Sequence, residues 1–321
     1  MAEGKAQVLI VGVGGVGAMA AYALEIGGKA EVTAVLRSNY DAVAEKGFKI
    51  DSIEHGHDIK GWRPTHIRKT IPDVAQEKLK PFDYILVTTK NIPDVPPTVA
   101  DLIAPAVTPQ ETVIVLSQNG LSIEKPLLAR FPGNPVLSSI SLIAATETAH
   151  GEILHDDVDA QYISPFSSPD VPSDVAEAAA RRYIDIYNAC GKLDIRGAAH
   201  GHGADAGEPA RHRRPDPAHH AGDLSGSRRG RLRVPENLPD KVIRVDPTET
   251  AFKPSMCQDV EKGNFMEVEN IVGEPLREGE ARGVAMPTLR TMYGLLKGLQ
   301  LQVREARGLW EPTFAEDNPY K

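Results

Sequence analysis

Two cysteines in 321 residues, Cys190 and Cys257, cannot build a disulfide framework, the device on which small secreted domains rely in place of a large core. No charged leader followed by an apolar run precedes the first strand-like segment at Gln7, and no apolar stretch reaches the roughly 20 residues that span a bilayer. These absences point to a reducing, cytoplasmic setting and away from an integral membrane protein. The formal net charge of -8 gives no overall electrostatic reason to expect nucleic acid or an anionic membrane as partner. A small molecule is the expected partner. Nor is there an internal repeat of solenoid period. What is present, 41% hydrophobic and 25% charged residues, suits a globular chain with a substantial core, and the length suits two domains.

Residues 7–11 read QVLIV, a continuous apolar and β-branched run; glycines follow at once, then the helix-forming stretch 18–25. Similar apolar runs recur at 32–36, 84–87, 112–116 and 136–143. Strands that are apolar throughout, rather than alternating, predict a parallel sheet covered on both faces. The expected fold is therefore α/β, with an N-terminal Rossmann-type doubly wound parallel sheet. Residues 47–71 are more polar and alternating, with Gly56 and Gly61 as breakers, which predicts an antiparallel excursion. A helix is predicted over 174–190, with Asp174 and Glu177 as a capping pair and Val175, Ala179, Tyr183 and Ile186 on one face. Later, Ser255 caps a helical stretch, and 267–280 and 287–299 read as helices, the last with Pro287 in its first turn. A mainly helical C-terminal domain is the expectation. The predicted division is 1–196 for the dinucleotide-binding domain, 197–235 for a segment of different composition, 236–308 for a shortened helical domain, and 309–321 for a tail.

Gly12, Gly14 and Gly17 form G-x-G-x-x-G within VGVGGVG, between the first strand and its helix, with Val13, Gly15 and Val16 filling the loop. The spacing suits a dinucleotide: Gly12 permits the tight turn, Gly14 lets the backbone approach a pyrophosphate, and Gly17 allows close packing of helix on strand. The alternative is a tight glycine turn that binds nothing. At the end of the second strand, where a domain that prefers NAD usually carries an acid, stands Arg37. Its guanidinium would pair with the 2′-phosphate of NADPH, with Ser38 and Asn39 adding neutral donors, so NADPH is the expected cofactor. A solvated arginine is the bland alternative.

Several motifs together resemble the ketopantoate reductase (2-dehydropantoate 2-reductase) family: VGVGGVG at 11–17, LRSN at 36–39, LVTTKN at 86–91, SQNGL at 117–121, GEILH at 151–155 and PSMCQDVEKGNFMEVENIVGE at 254–274. The resemblance implies NADPH-dependent reduction of 2-dehydropantoate to (R)-pantoate, a step of pantothenate biosynthesis, or of another branched 2-keto acid, in a possible homodimer. In that chemistry a hydride passes to the keto carbon while a lysine stabilises and protonates the alkoxide. Carried over by position, Lys90 and Asn119 border cofactor and substrate near the nicotinamide, Ser255 faces the substrate, and Glu267 supports the catalytic ammonium. Read without the family, Lys90 is a surface lysine, Asn119 a turn residue, Ser255 a helix cap and Glu267 a helix glutamate. Asp259 and Glu269 are expected to be solvated or structural.

The principal lysine of the family is not found. It belongs to a helix that this chain would place near 197–233, and no lysine occurs from residue 193 through 240. Those 37 residues hold 7 Gly, 7 Ala, 7 Arg and 5 His, and apart from alanine their only apolar side chains are Leu224 and Leu232. Such a composition buries no helix or strand face, so an unstructured segment is predicted. Amino acids with GC-rich codons dominate it, which points to a reading-frame shift or a misassigned intron boundary. A catalytically impaired pseudoenzyme is then the second functional reading. Neither a metal site from His200, His202, His219 and His220 nor a nucleic-acid tether from Arg211, Arg213, Arg214, Arg228 and Arg229 is expected, because ligand spacing and aromatic partners are lacking.

Overall fold

The protein is described by a computed structural model that covers residues 4–197 and 253–311, with positions 237, 238, 240, 244 and 313. Nearly all of the Gly-, Ala-, Arg- and His-rich segment, and every histidine and arginine considered there, lies outside the described residues. Met1–Gly197 and Asp259–Lys321 form one compact unit, and Ala198–Gln258 a second.

The first unit is built on strands β1 (Ala6–Val11), β2 (Ala30–Val35), β3 (Phe48–Ser52), β4 (Gly56–Trp62), β5 (His66–Arg68), β6 (Tyr84–Val87), β7 (Val113–Leu116), β8 (Val136–Leu142), β9 (Ala145–Ala149), β10 (Glu152–His155), β11 (Ala160–Pro165) and β12 (Arg196–Gly197). Eight of them form one sheet in the order β12-β11-β8-β7-β6-β1-β2-β5. From β5 through β8 every pairing is parallel, as the uniformly apolar runs predict. On β1, Val8 and Ile10 enter one hydrophobic core while Leu9 and Val11 enter another on the opposite face. The period of two sends successive side chains to opposite faces, so a strand covered on both sides cannot alternate with polar residues. Helix α1 (Gly15–Ile26) covers one face and α3 (Val99–Ile103) the other, with the short helix α2 (Tyr40–Lys46) between them in the chain.

The polar excursion after residue 47 does turn back on itself. Strands β3 and β4 pair antiparallel and, with β9 and β10, make a second sheet of order β4-β3-β10-β9. The expectation fails at its end, because β5 joins the large sheet parallel to β2. A further correction concerns the helix Ser173–Tyr187: it starts directly after Pro172 without a side-chain cap, so Asp174 and Glu177 are not a capping pair. Its buried face is Ala176, Ala180, Tyr183 and Tyr187, joined by Ile186, while Val175 is exposed. Near the C-terminus come Ser255–Glu261, a π-helical turn Glu269–Gly273 that interrupts the helix expected over 267–280, then Glu274–Ala281 and Pro287–Ala306.

Candidate active site

The loop Gly12–Gly14 leaves the carboxyl end of β1 between its two neighbours, β2 and β6. Gly12 has φ 98°, and a Cβ there would lie 2.6 Å from the Thr89 backbone nitrogen. Thr88 holds the loop from the β6 side: its hydroxyl donates to the Gly12 carbonyl, and its backbone N–H donates to Val11 O at 3.0 Å. At Gly17 a Cβ would approach Gly12 O to 2.4 Å, which explains the glycine by helix–strand contact alone. Gly14 is different. A Cβ at Gly14 would meet nothing within 4 Å, so the loop presents bare backbone to open space there. That gap suits a pyrophosphate lying against the chain.

Arg37 is exposed beyond β2, and among the described residues its side chain has no hydrogen-bond or ion-pair partner. Its neighbour across the sheet edge, Arg68, is by contrast held by Glu77 in a two-point contact of 2.9 and 2.6 Å. Ser38 is exposed as well. Asn39 is not available as a donor to a ligand, because its buried amide donates to Val13 O and to Glu147 Oε1, both at 2.8 Å. It ties the glycine loop to β9. The residues of the loop and of Arg37 therefore fit a dinucleotide, and the committed amide of Asn39 keeps the loop in place.

The other cluster gathers Lys90, Asp259 and Glu267. Lys90 follows β6, its side chain 40% exposed, and its Nζ lies 2.8 Å from Asp259 Oδ2 and 3.4 Å from Glu267 Oε2. Glu267 is 3% exposed and also accepts the backbone N–H of Asn91 at 2.9 Å. Burial raises its carboxyl above the ordinary glutamate value, against the pull of the Asn91 N–H and of Lys90; Asp259 adds to the rise. Of the two expectations for Asp259, solvated or structural, the second applies, since it is buried against Lys90. Its Oδ2 lacks an aligned hydrogen bond despite the short ion contact, so the attraction is one of charge. Nothing in the local sequence marks Asp259, because its partner comes from the opposite end of the chain. Glu269 is structural as expected, held by Arg277, Tyr293 and Lys297.

Asn119 sits exposed in the loop after β7, at the carboxyl edge of the sheet. The loop is braced on both sides. Gln118 donates to Thr89 O, and Gly120, at φ 117°, lies so close to Asn270 that a Cβ would come within 2.4 Å of the Asn270 Cβ. Asn270 in turn donates to Asn91 O at 3.3 Å. Thr88, Gln118 and Asn270 were not predicted; they act on backbone atoms of other loops, which no local motif reveals. Ser255 is exposed at the start of its helix, inside it rather than at a capping position.

A parallel sheet with a glycine loop at the reversal of strand order, and polar side chains gathered at the strands' carboxyl ends, defines the class of dinucleotide-fold oxidoreductases. Comparison with known proteins narrows this. A family profile described as Ketopantoate reductase PanE/ApbA matches residues 8–168, and that of the C-terminal part of the same family matches residues 173–300. The chain belongs to the ketopantoate reductase PanE/ApbA family. It is 31% identical to the uncharacterized protein YDL144C of Saccharomyces cerevisiae over 354 residues, covering 94% of this chain and 96% of that one. That aligned length exceeds the 321 residues of this chain, so the yeast protein carries residues that this chain skips. The crystal structure of 2-dehydropantoate 2-reductase from Methylococcus capsulatus is similar with a TM-score of 0.66 at 25% identity, covering 92% of this chain and 97% of that one. A ternary structure of D-mandelate dehydrogenase with NADH and anilino(oxo)acetate shares the fold, with a TM-score of 0.66 at 17% identity over 93% of this chain and 99% of that one.

Proposed function

We propose that the chain binds NADPH along the carboxyl ends of β1, β2, β6 and β7 and reduces a 2-keto acid of the 2-dehydropantoate type, slowly for want of the family's lysine. The observation that carries the reading is Arg37, an exposed guanidinium with no partner among the described residues, where a domain preferring NAD has an acid. When bound, NADPH supplies the hydride. Gly12 to Gly17 hold the pyrophosphate on bare backbone, Arg37 and Ser38 take the 2′-phosphate, and Asn119 orients a carbonyl or ribose hydroxyl by donating and accepting at once. Lys90, in ion contact with Asp259 and Glu267, faces the anionic end of the ligand. Two carboxylates outweigh one ammonium, so an anion is best received when Glu267 takes up a proton, which its burial favours.

Titration of NADPH and NADH by nicotinamide fluorescence tests the cofactor assignment. NADPH should bind more tightly by about 1.5 to 3 kcal/mol, the contribution of one charge-assisted contact, and Arg37→Asp should remove the difference. Equal affinities in the natural chain would overturn the assignment.

One observation favours a second reading, a dinucleotide-binding protein without turnover: no lysine stands between residues 193 and 240. Loss of a positioned acid typically costs about 10² to 10⁴ in rate. Sequencing the transcript across codons 190 to 240 separates the two, since a restored lysine helix supports the reductase and an unchanged frame supports binding alone.

A further inference from the structure

The two cations at the outer end of the dinucleotide site come from different strands. Strands β2 and β5 are parallel neighbours with Val35 opposite Arg68, and Leu36 N donates to Arg68 O at 2.8 Å, so Arg37 and Lys69 both leave the sheet at the same carboxyl edge. Arg37 then enters a tight turn in which its carbonyl accepts the Tyr40 N–H at 3.2 Å. Lys69 reaches onto this turn. Its Nζ lies 4.7 Å from the centre of the Tyr40 ring and 2.8 Å from Asp41 Oδ1. Asp41 is the largest cause that holds the Lys69 ammonium above the ordinary lysine value.

We infer that Lys69 is a second cation for the 2′-phosphate of the dinucleotide, and that Asp41 holds it in place until that phosphate arrives. The inference rests on the NADPH reading above and extends it from one residue to a pair that sets specificity. The side chains of Lys69 and Asp41 are 60% and 86% exposed, so their mutual attraction is screened by water and weak. A phosphate monoester carries about -1.5 to -2 charge and three acceptor oxygens, and it outcompetes a solvated carboxylate for the same ammonium. Asp41, once released, returns to water at little cost. Arg68 cannot do this, because Glu77 holds it at two points. A dinucleotide without the 2′-phosphate leaves the Lys69–Asp41 pair undisturbed. Lys69 therefore strengthens NADPH binding and leaves NADH binding alone.

The test is a double-mutant cycle on dinucleotide affinity, read by nicotinamide fluorescence and by competition with adenosine 2′,5′-bisphosphate against AMP. Lys69→Ala should weaken NADPH about ten-fold, leave NADH unchanged, and weaken the bisphosphate but not AMP; Lys69→Arg should retain binding. Asp41→Asn should tighten NADPH about three-fold in the natural background and have no effect where Lys69 is already alanine. Both positions are exposed, and unchanged thermal midpoints verify that the variants are folded. Lys69→Ala that weakens both dinucleotides alike or neither, or Asp41→Asn that tightens NADPH equally without Lys69, overturns the inference. If Arg37→Asp abolishes NADPH preference while Lys69→Ala does nothing, only the inference falls; if the natural chain shows no preference, the NADPH reading falls with it.

Discussion

A Cβ added at Gly17 would lie 2.4 Å from the Gly12 carbonyl oxygen and 2.7 Å from Thr88 Oγ1, whereas one added at Gly14 would meet no atom within 4 Å. Gly17 thus serves packing, and Gly14 leaves open the space that the proposed dinucleotide would occupy. Gly17→Ala should lower stability by about 1 to 3 kcal/mol through overpacking. Gly14→Ala should stay within about 0.5 kcal/mol of the natural chain yet lose NADPH affinity at least about ten-fold, since the methyl group would occupy the phosphate's place. Unfolding midpoints and fluorescence titration check both. A Gly14→Ala variant that binds normally would remove the dinucleotide from this loop. At this scale the glycine spacing and Arg37 were legible because turn geometry and charge are properties of short sequence. Asp259 and the committed amide of Asn39 were not, because each acts through a partner far away in the chain.

The helix Ser173–Tyr187 shows how an element's place decides what its residues experience. Tyr183 and Tyr187 are both buried, with rings packed against each other and Tyr183 against Tyr84. Tyr187 donates to Asp159 Oδ2 at 3.0 Å and receives the Gln161 side-chain amide at 3.1 Å, while the Tyr183 hydroxyl is buried with no hydrogen-bond partner among the described residues. A hydrogen-bonded hydroxyl contributes, and an unpaired buried one costs desolvation without return. Tyr183→Phe should therefore raise stability by about 1 kcal/mol, and Tyr187→Phe should lower it by about 1 to 3 kcal/mol because Asp159 loses its donor. Denaturant unfolding of the two variants decides; a destabilising Tyr183→Phe would mean that its hydroxyl has a partner after all. The helix itself is apparent from periodicity, its inward face only in part. Tyr183 and Ile186 are buried as expected, but Val175 is exposed, and packing against β8 and β11 centres the face on Ala176, Ala180, Tyr183 and Tyr187 instead. The π-helical turn at Glu269–Gly273 escaped for a related reason. It sets Asn270 against Gly120 and Asn91, contacts that only the folded chain brings together.

For the molecule as a whole, binding and turnover should separate. The glycine loop and Arg37 lie before residue 193, and the lysine of the family chemistry is missing from the stretch after it. NADPH oxidation with 2-dehydropantoate, and with a small panel of 2-keto acids, should stay well below the ordinary range of about 1 to 10³ per second, even at saturating NADPH. A turnover number inside that range would show that another group, Lys90 foremost, does the work of the missing lysine. Lys90→Ala would then be the variant to assay. The sequence by itself determined the parallel sheet, the dinucleotide loop, the cation after β2 and the family. Each is written in local pattern: uniformly apolar strands, glycines at fixed offsets, a charged residue at a strand end, motifs in a set order. Only the tertiary structure decided that Lys90 meets two buried carboxylates, that Asn39 locks the loop to β9, and that Lys69 stands beside the turn of Arg37. Sheet order and helix docking bring those groups together, and they depend on contacts summed over the whole chain rather than on any stretch of it.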